Sequence, residues 1–420
     1  MTEVLIQSAT IMDSQTNYHT QKVDLLIKDG IISKIDSKIK EQSSFKIIDG
    51  TGQILSPGFF DMNVNFGEPG SETREDIESG CKAAAAGGVT GVALMPNTQP
   101  PVHSKSEISY ILGKATNNLV NVFPLGCISQ NRTGKDLAEL YDMQLAGAIA
   151  FSDGDRSVGD AGLMSRALLY SKGFNGLIFS YPEDENIAAK GKMNEGVNST
   201  LLGIKGNPAL AEELMVIRDL CLAEYNDSRI HFSTISTFKS VDLIRQAKKK
   251  GLKVTCDVAV HHLIFTDEML LGFDTNYKVK PPLRGQNDVK ALIAGLKDGT
   301  VDAIVSQHTP LESELKNVEF EIAFNGIIGL QTLLPMALKT GLTAELLIEK
   351  LAVNPRKILN LEIPCITLNS PANLVLFNPT AQWTYFSEIN FSKSSNSPLL
   401  KEKLTGKVNL VVNNNKFFLS

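Results

Sequence analysis

Residues 59–66 read Phe59-Phe60-Asp61-Met62-Asn63-Val64-Asn65-Phe66, a short apolar run followed by small and polar residues. Seven further runs of this kind follow, each succeeded by a stretch with helical spacing. They cover residues 89–96, 122–128, 146–152, 177–181, 230–235, 253–260 and 302–307. Alternating strands and helices predict a parallel sheet, and eight such strands are the number that closes a barrel. The sequence therefore predicts a (β/α)8 TIM barrel.

Helix ends are visible between the later runs. Residues 240–250 and 288–297 have helical apolar spacing, and Gly251 and Gly299 follow them as C-terminal stops. Because barrel chemistry lies where strands end and the following loops begin, we expect the functional residues at the ends of the eight runs.

Both ends of the chain are rich in β-forming residues. Strands are predicted at 4–6, 23–28, 31–35, 373–377, 407–412 and 416–419. The Asp29-Gly30 pair between the second and third of these is typical of a β-hairpin turn. We expect the two ends to pair into a small β domain of residues 1–55 plus 365–420, which flanks a barrel domain of residues 56–364.

Composition excludes several functional classes. The 420 residues are 43% hydrophobic and carry a net charge of −5, and the basic block Lys248-Lys249-Lys250 is interpreted as a helix end, so no nucleic acid partner is expected. Five scattered cysteines without Cys-x-x-Cys spacing argue against a disulfide framework or a zinc knuckle. Without a signal-peptide pattern in residues 1–20 or a long apolar run, the expectation is a cytoplasmic protein with no membrane partner.

Several ordered motifs resemble one known family. The segment Ser56-Pro57-Gly58-Phe59-Phe60-Asp61-Met62-Asn63-Val64-Asn65-Phe66-Gly67-Glu68-Pro69-Gly70 is similar to the dihydroorotase pattern Pro-Gly-x-x-Asp-x-His-x-His-x-Arg-Glu-Pro-Gly. Further resemblances follow in order at residues 83–90, 95–98, 254–258, 261–263, 281–284 and 354–359. The resemblance covers most of the chain and implies an amidohydrolase-type barrel with a β domain built from both termini.

The resemblance also implies a chemistry. In that family a zinc-bound hydroxide opens the ring amide of dihydroorotate, or closes carbamoyl aspartate in the reverse direction, within pyrimidine biosynthesis. The metal lowers the pKa of bound water from about 15.7 to about 7. Its ligands come from the ends of strands 1, 4, 5, 6 and 8.

Matched position by position, the ligand set is largely absent from this chain. The family's metal positions correspond to Asn63, Asn65, Asp153, Tyr181, Thr234 and Gln307. Only Asp153 is a ligand type that zinc prefers, because amides, phenols and hydroxyls are weaker or normally protonated donors. The resemblance therefore predicts a pseudoenzyme with no intact catalytic residue and no bound cofactor, although the family uses zinc.

The substrate pocket implied by the resemblance is altered as well. Gly67 replaces an arginine, Lys280 replaces an asparagine and Leu311 replaces a histidine, whereas Asn97 is retained. Loss of the arginine should weaken binding of a carboxylate ligand, since charge-assisted hydrogen bonds are worth about 1.5–3 kcal/mol. Lys280 offers a replacement charge.

Two groups of residues leave alternatives open. The histidines at strand ends (His231, His261, His262 and His308) form either a relocated metal site or hydrogen-bonded structural groups, and we favour the second. The acidic residues Asp153, Asp155, Glu183 and Asp184 form either a carboxylate cluster with a raised pKa or separate caps and ion pairs, and we again favour the second.

The leading hypothesis is a noncatalytic subunit that assembles with aspartate carbamoyltransferase. It rests on the resemblance, because dihydroorotase-like proteins with lost ligands are known in such assemblies. One alternative is an enzyme, either a residual dihydroorotase or a metal-independent hydrolase that uses Asp153, Tyr181 and Lys280. Another is a sensor whose polar pocket binds a small-molecule pyrimidine precursor, and a homodimer is the default oligomeric state.

Overall fold

The computed structural model describes residues 3–420. The strands in chain order are β1 (Glu3–Ile11), β2 (Lys22–Lys28), β3 (Ile31–Asp36), β4 (Phe45–Asp49), β5 (Ile54–Pro57), β6 (Phe59–Val64), β7 (Val89–Leu94), β8 (Asn121–Pro124), β9 (Phe151–Ser152), β10 (Ile178–Ser180), β11 (Met193–Asn194), β12 (Gly206–Asn207), β13 (Ile230–Phe232), β14 (Val254–Ala259), β15 (Ala303–Val305), β16 (Leu374–Thr384), β17 (Lys403–Asn413) and β18 (Lys416–Leu419). Each of the eight predicted apolar runs overlaps one of the strands β6 to β10 and β13 to β15.

These eight strands form the barrel. One parallel sheet has the order β6-β7-β8 and another the order β15-β14-β13-β10-β9. Parallel bridges join the two sheets on both sides, from Gly126 to Phe151 and from Val64 to His308. The barrel is therefore closed, and the predicted fold class is confirmed.

Helices follow most of the barrel strands. They are α1 (Ile77–Ala86), α2 (Lys105–Lys114), α3 (Leu140–Leu145), α4 (Ala161–Lys172), α5 (Glu185–Ala188), α6 (Val197–Leu202), α7 (Leu210–Asn226), α8 (Phe238–Lys249), α9 (Gln286–Asp298), α10 (Ser313–Lys316), α11 (Leu333–Lys339), α12 (Ala344–Ile348) and α13 (Asn354–Ile358). Short 3-10 turns lie at Gln130–Arg132, Val260–Leu263, Asp267–Gly272, Thr275–Tyr277 and Ser387–Ile389, and a π-helical turn lies at Glu349–Val353. Gly299 caps α9 with a left-handed φ, and Gly251 follows the last residues of α8, as the sequence predicts.

The ends of the chain share one mixed sheet. Its order is β18-β17-β16-β5-β1-β2-β3, with β4 paired to β1. The two termini meet where β5 and β16 pair antiparallel, from Leu374 opposite Pro57 to Phe377 opposite Ile54. The expected pairing of the ends is confirmed, while β4 and β5 have no counterpart among the predicted strands. The domain boundaries at residues 55 and 365 remain a prediction.

Apolar residues fill the space between the barrel strands and the surrounding helices, and a second apolar cluster lies on one face of the terminal sheet. Burial of this surface is the main favourable contribution to folding. Within residues 3–420, no helix is both long and apolar enough to cross a membrane.

The buried carboxylate of Asp61 connects two neighbouring barrel strands, β6 and β15. Asp61 on β6 is fully buried, and it accepts hydrogen bonds from the backbone N–H of Asn63 at 3.0 Å and of Ser306 at 2.9 Å. Burial raises the pKa of Asp61 to about 7. This contact links the ends of β6 and β15 and so fixes the spacing of the two loops that carry Asn65 and Gln307.

Candidate functional site

A polar cavity lies at the carboxyl ends of the barrel strands. Its lining residues are Asn63, Asn65, Met95, Asn97, Gly154, Asp155, Tyr181, Val279, Lys280, Gln307, Thr309, Asn325, Gly326 and Ile327. Of the ten metal and substrate positions implied by the resemblance, six meet here: Asn63, Asn65, Asn97, Tyr181, Lys280 and Gln307. The other four, Gly67, Asp153, Thr234 and Leu311, lie outside this lining, whereas the acidic residue Asp155 belongs to it.

The two asparagines of β6 and its loop brace neighbouring strands. The side-chain amide of Asn63 donates to Ser233 Oγ at 3.2 Å. That of Asn65 donates to the His308 carbonyl at 3.1 Å and to Thr309 Oγ1 at 3.0 Å. Since the Asn65 Nδ2 is engaged on both sides, its Oδ1 is the free end, and this atom is buried without a partner in the protein.

The carboxylate of Asp153, after β9, is occupied by the turn that follows β8. Asp153 accepts from the backbone N–H of Ile128 at 2.9 Å, from that of Ser129 at 3.0 Å and from the Ser129 hydroxyl. Burial raises the pKa of Asp153, whereas the bonds from Ser129 oppose that shift. The side chain thus holds the turn after β8 and leaves little capacity for a metal ion.

The strand 5 and strand 6 positions carry neutral hydroxyls. Tyr181 is buried, its hydroxyl has no partner in the protein, and burial raises the pKa of the phenol well above 10. Thr234 donates its backbone N–H to Asp257 Oδ1 at 2.6 Å, and its hydroxyl is likewise buried and unpartnered. Neither group supplies an anionic ligand at neutral pH.

The side chain of Gln307, at the end of strand 8, connects two loops. Its side-chain amide donates to the Lys280 carbonyl at 2.8 Å, which ties the end of β15 to the loop after β14. An amide in place of a carboxylate can neither take up a proton from water nor neutralise a metal ion. The strand 8 position therefore lacks the acid or base that the family resemblance places there.

The donor set does not fit a zinc ion. Across residues 3–420 no three His, Cys, Asp or Glu side chains lie close enough together to hold a metal. Structural and catalytic zinc sites need three or four such donors. The side chains at these positions therefore do not suit a zinc ion.

Two ion pairs cross the rim of the cavity. Lys280 Nζ lies 2.9 Å from Glu183 Oε1, and Glu183 Oε2 accepts from the Asn207 amide at 3.0 Å. On the other side Asp155 pairs with Arg132. These ion pairs, and the cap that Asp184 forms on α5, agree with the favoured interpretation of the acidic residues. The raised pKa of Asp153 agrees with the alternative. The Lys280 charge is already compensated.

The strand-end histidines make local contacts. His231 is hydrogen-bonded to Thr255 and Asp257, and His308 to Glu75 and to the Gly329 N–H. His262 contacts the Pro281 carbonyl at 3.0 Å, and its ring lies 4.6 Å from that of His261. Burial lowers the pKa of His261 well below its usual value and that of His262 to about 4, so both remain neutral.

The position that the resemblance matches to the family arginine, Gly67, has no room for a side chain. A Cβ atom on Gly67 would lie 2.0 Å from the Ser71 carbonyl oxygen and 2.8 Å from that of Glu75. No side chain fits here unless the loop moves. Leu311 is buried, and its N–H donates to Asn396 Oδ1 at 3.1 Å, so this position supplies no polar group to the cavity.

One wall of the cavity was not anticipated from the sequence. Asn325, Gly326 and Ile327 line it, on a loop held from beneath by two buried lysines, Lys278 and Lys316. Both lysines donate to backbone carbonyls of that loop, as in the contacts of Lys316 Nζ with the Phe324 and Gly326 oxygens at 3.1 and 3.0 Å. Two buried lysines without a nearby motif give no recognisable pattern in the sequence.

Comparison with known proteins gives a consistent result. A family model described as Dihydro-orotase-like matches residues 52–240. The dihydroorotase of Geotalea daltonii is 43% identical over 408 residues, covering 96% of each chain. That of Ruminiclostridium cellulolyticum is 43% identical over 402 residues, covering 94% of each chain.

Solved structures agree on the fold. The L-hydantoinase (dihydropyrimidinase) from Arthrobacter aurescens has a TM-score of 0.86 at 24% identity and covers 99% of this chain and 96% of its own. A D-hydantoinase has a TM-score of 0.82 at 21% identity, with 99% and 95% covered. At these identities the likeness concerns the barrel and the terminal sheet alone.

Proposed function

The chain belongs to the dihydroorotase family, and on that premise we propose that it is a member that has lost hydrolysis and acts in pyrimidine biosynthesis as a structural or regulatory subunit. The observation that carries this proposal is the state of the metal positions. Five of the six matched residues are neutral (Asn63, Asn65, Tyr181, Thr234 and Gln307). The sixth, Asp153, is acidic, but its carboxylate accepts hydrogen bonds from the backbone N–H groups of Ile128 and Ser129.

The contacts weigh against a residual or metal-independent hydrolase. Such an enzyme needs a base near neutral pKa or an activated nucleophile beside the substrate. Tyr181 remains a neutral phenol, Lys280 is paired with Glu183, and Asp153 does not line the cavity. The residues offered for that alternative are therefore either neutral or already engaged.

The test combines metal content with turnover. The chain and the Geotalea daltonii dihydroorotase, as the matched active control, are purified side by side with zinc present. We expect near-stoichiometric zinc and ring opening of dihydroorotate for the control, and neither for this chain. Bound zinc together with turnover that tracks zinc content would contradict the proposal.

The proposed partner is aspartate carbamoyltransferase, with a homodimer of this chain as the default assembly. The family resemblance supports the choice of partner. The residues to test first are the exposed apolar side chains Val197 and Leu201 on α6 and Leu214, Ile217 and Tyr225 on α7. Exposed apolar side chains are candidates for protein contacts when they cluster at a surface.

Size-exclusion chromatography of the mixed proteins, together with transferase kinetics, tests the partner. We expect co-elution and altered transferase kinetics, both reduced by Leu201→Glu with Tyr225→Glu and retained by the control Lys339→Glu on another exposed surface. Separate elution and unchanged transferase kinetics would exclude the subunit role.

A further inference from the structure

The cavity is unusual in its amide content. Five side-chain carboxamides line it, and these belong to Asn63, Asn65, Asn97, Gln307 and Asn325. A carboxamide has both a donor end and an acceptor end and carries no net charge. The NH2 groups of Asn63, Asn65 and Gln307 already donate within the protein. These three side chains therefore offer a ligand mainly their amide oxygens, which accept from ligand N–H groups.

The charges at the cavity are balanced internally. Among the lining residues only Asp155 and Lys280 are charged, and each has an ion partner, Arg132 and Glu183 respectively. A ligand carboxylate brought here would find no free cation, and an unpaired buried charge is strongly unfavourable. The occupant that this cavity favours is therefore uncharged.

Three lining residues show what the occupant must offer. The Oδ1 atoms of Asn65 and Asn97 and the hydroxyl of Tyr181 are buried without a partner in the protein. The amide oxygen of Asn65 accepts only, because its Nδ2 is already engaged with His308 and Thr309. The Tyr181 hydroxyl is a neutral phenol that can donate. A ligand N–H would satisfy the Asn65 oxygen, and a ligand C=O would accept from the Tyr181 hydroxyl.

The size of the space restricts the ligand further. The cavity measures about 60 Å³, roughly the room of four to six water molecules. Met95, Val279 and Ile327 add apolar surface that suits the faces of a flat ring. These walls suit a small ligand with one planar ring.

From these observations we infer that the cavity binds an uncharged cyclic amide or ureide, the class to which the free base uracil and its reduced form dihydrouracil belong, without hydrolysing it. This inference rests on the proposed loss of catalysis and names the ligand class of the same site. It makes the chain a receptor for a neutral ring where the family acts on a carboxylate-bearing one.

Calorimetric titration of the full chain tests the ligand class directly. Uracil and dihydrouracil are the uncharged probes, and orotate and dihydroorotate are the matched rings that carry a carboxylate. We expect saturable binding of the uncharged rings and at least tenfold weaker binding of the acids, about 1.4 kcal/mol or more. Tighter binding of either acid, or no binding of either uncharged ring, would overturn the inference.

Two variants test the residues. Tyr181→Phe removes only the unpartnered hydroxyl, and we expect uracil binding to weaken about three- to tenfold with no loss of thermal stability. Glu183→Gln removes the anion beside Lys280, so the affinity for orotate should rise at least about tenfold while the affinity for uracil changes little. Glu185→Gln on exposed α5 is the control and should alter neither affinity. Unchanged selectivity in Glu183→Gln would count against the charge argument.

The same samples separate this inference from the proposed function. If dihydrouracil binds and its ring is opened, the proposed loss of catalysis fails while the ligand class stands. If the chain is free of zinc and inactive but binds no uncharged ring, the ligand class fails while the proposed loss of catalysis stands.

Discussion

Lys280 Nζ lies 2.9 Å from Glu183 Oε1, and this pair joins the loop after β10 to the loop after β14 at the rim of the cavity. Lys280 also donates to the Asp155 carbonyl at 3.1 Å and lies 5.1 Å from the centre of the Tyr181 ring. The one cation that lines the cavity is thereby used to hold loops together. The pairing of Lys280 with Glu183 supports the proposed ligand class, and it should also stabilise the rim of the cavity.

Removal of either partner of this pair should destabilise the fold. In Lys280→Met the Glu183 carboxylate is left largely buried with Asn207 as its remaining partner, and we expect a loss of about 1–3 kcal/mol in the free energy of unfolding. The double variant Lys280→Met with Glu183→Gln should recover most of that loss. Urea denaturation of the four proteins gives the coupling energy. A coupling indistinguishable from zero would show that the pair is not formed.

Asp153 should matter to folding and not to metal content. Asp153→Ala leaves the N–H groups of Ile128 and Ser129 buried without an acceptor, at about 1–3 kcal/mol for each unsatisfied group. We expect a lower unfolding temperature and the same low zinc content as the parent chain. Thermal unfolding and elemental analysis of the two proteins provide the check. A drop in bound zinc on substitution would assign Asp153 to a metal site instead.

Gly67 should not tolerate a side chain, so the family arginine cannot be restored alone. In Gly67→Ala the new Cβ would lie 2.0 Å from the Ser71 carbonyl oxygen, and we expect destabilisation of about 1–3 kcal/mol. Gly113→Ala is the matched control, because nothing lies within 4 Å of its Cβ position and the site is inside α2. That control should be stabilised by about 0.5–1 kcal/mol. Equal stability of both variants in urea would contradict the close contact.

The buried lysine beneath the cavity loop should give a pH-dependent stability. Burial lowers the pKa of Lys316 to about 7, against about 10.4 for an unfolded lysine. Between these values the unfolded chain binds more protons than the folded chain, so the free energy of unfolding rises with pH, by at most about 1.4 kcal/mol per unit. Below pH 7 this dependence vanishes.

Urea denaturation from pH 6 to pH 10 measures that slope. Relative to the parent chain, Lys316→Met should lose the part of the rise that begins near pH 7, although it also loses the contacts with the Phe324 and Gly326 carbonyls. The part that comes from Lys278, whose pKa burial lowers to about 8, should remain. Lys339→Met changes an exposed lysine on α11 and should follow the parent curve in parallel. Parallel curves for both variants would show that Lys316 stays charged throughout.

The barrel itself was predictable because strands and helices are encoded in nearby residues. The eight apolar runs needed only their local pattern and length, and Gly251 and Gly299 marked helix ends by the same local signal. The short strands β4, β5, β11 and β12 were missed. The exposed and half-buried residues of β4 give no clear alternation, and β5 ends at Pro57.

Residue identity also determined the main feature of the site, the neutral side chains of Asn63, Asn65 and Tyr181 at positions where the family resemblance implies zinc ligands. Tertiary structure decided how the remaining polar groups are used. It turned the Asp153 carboxylate onto a neighbouring turn, paired Lys280 with Glu183, and placed Asn325 in the cavity wall. The physical reason is range: hydrogen bonds and ion pairs act over a few ångströms in space, while Lys280 and Asp155, which they bring together, are 125 positions apart in the chain.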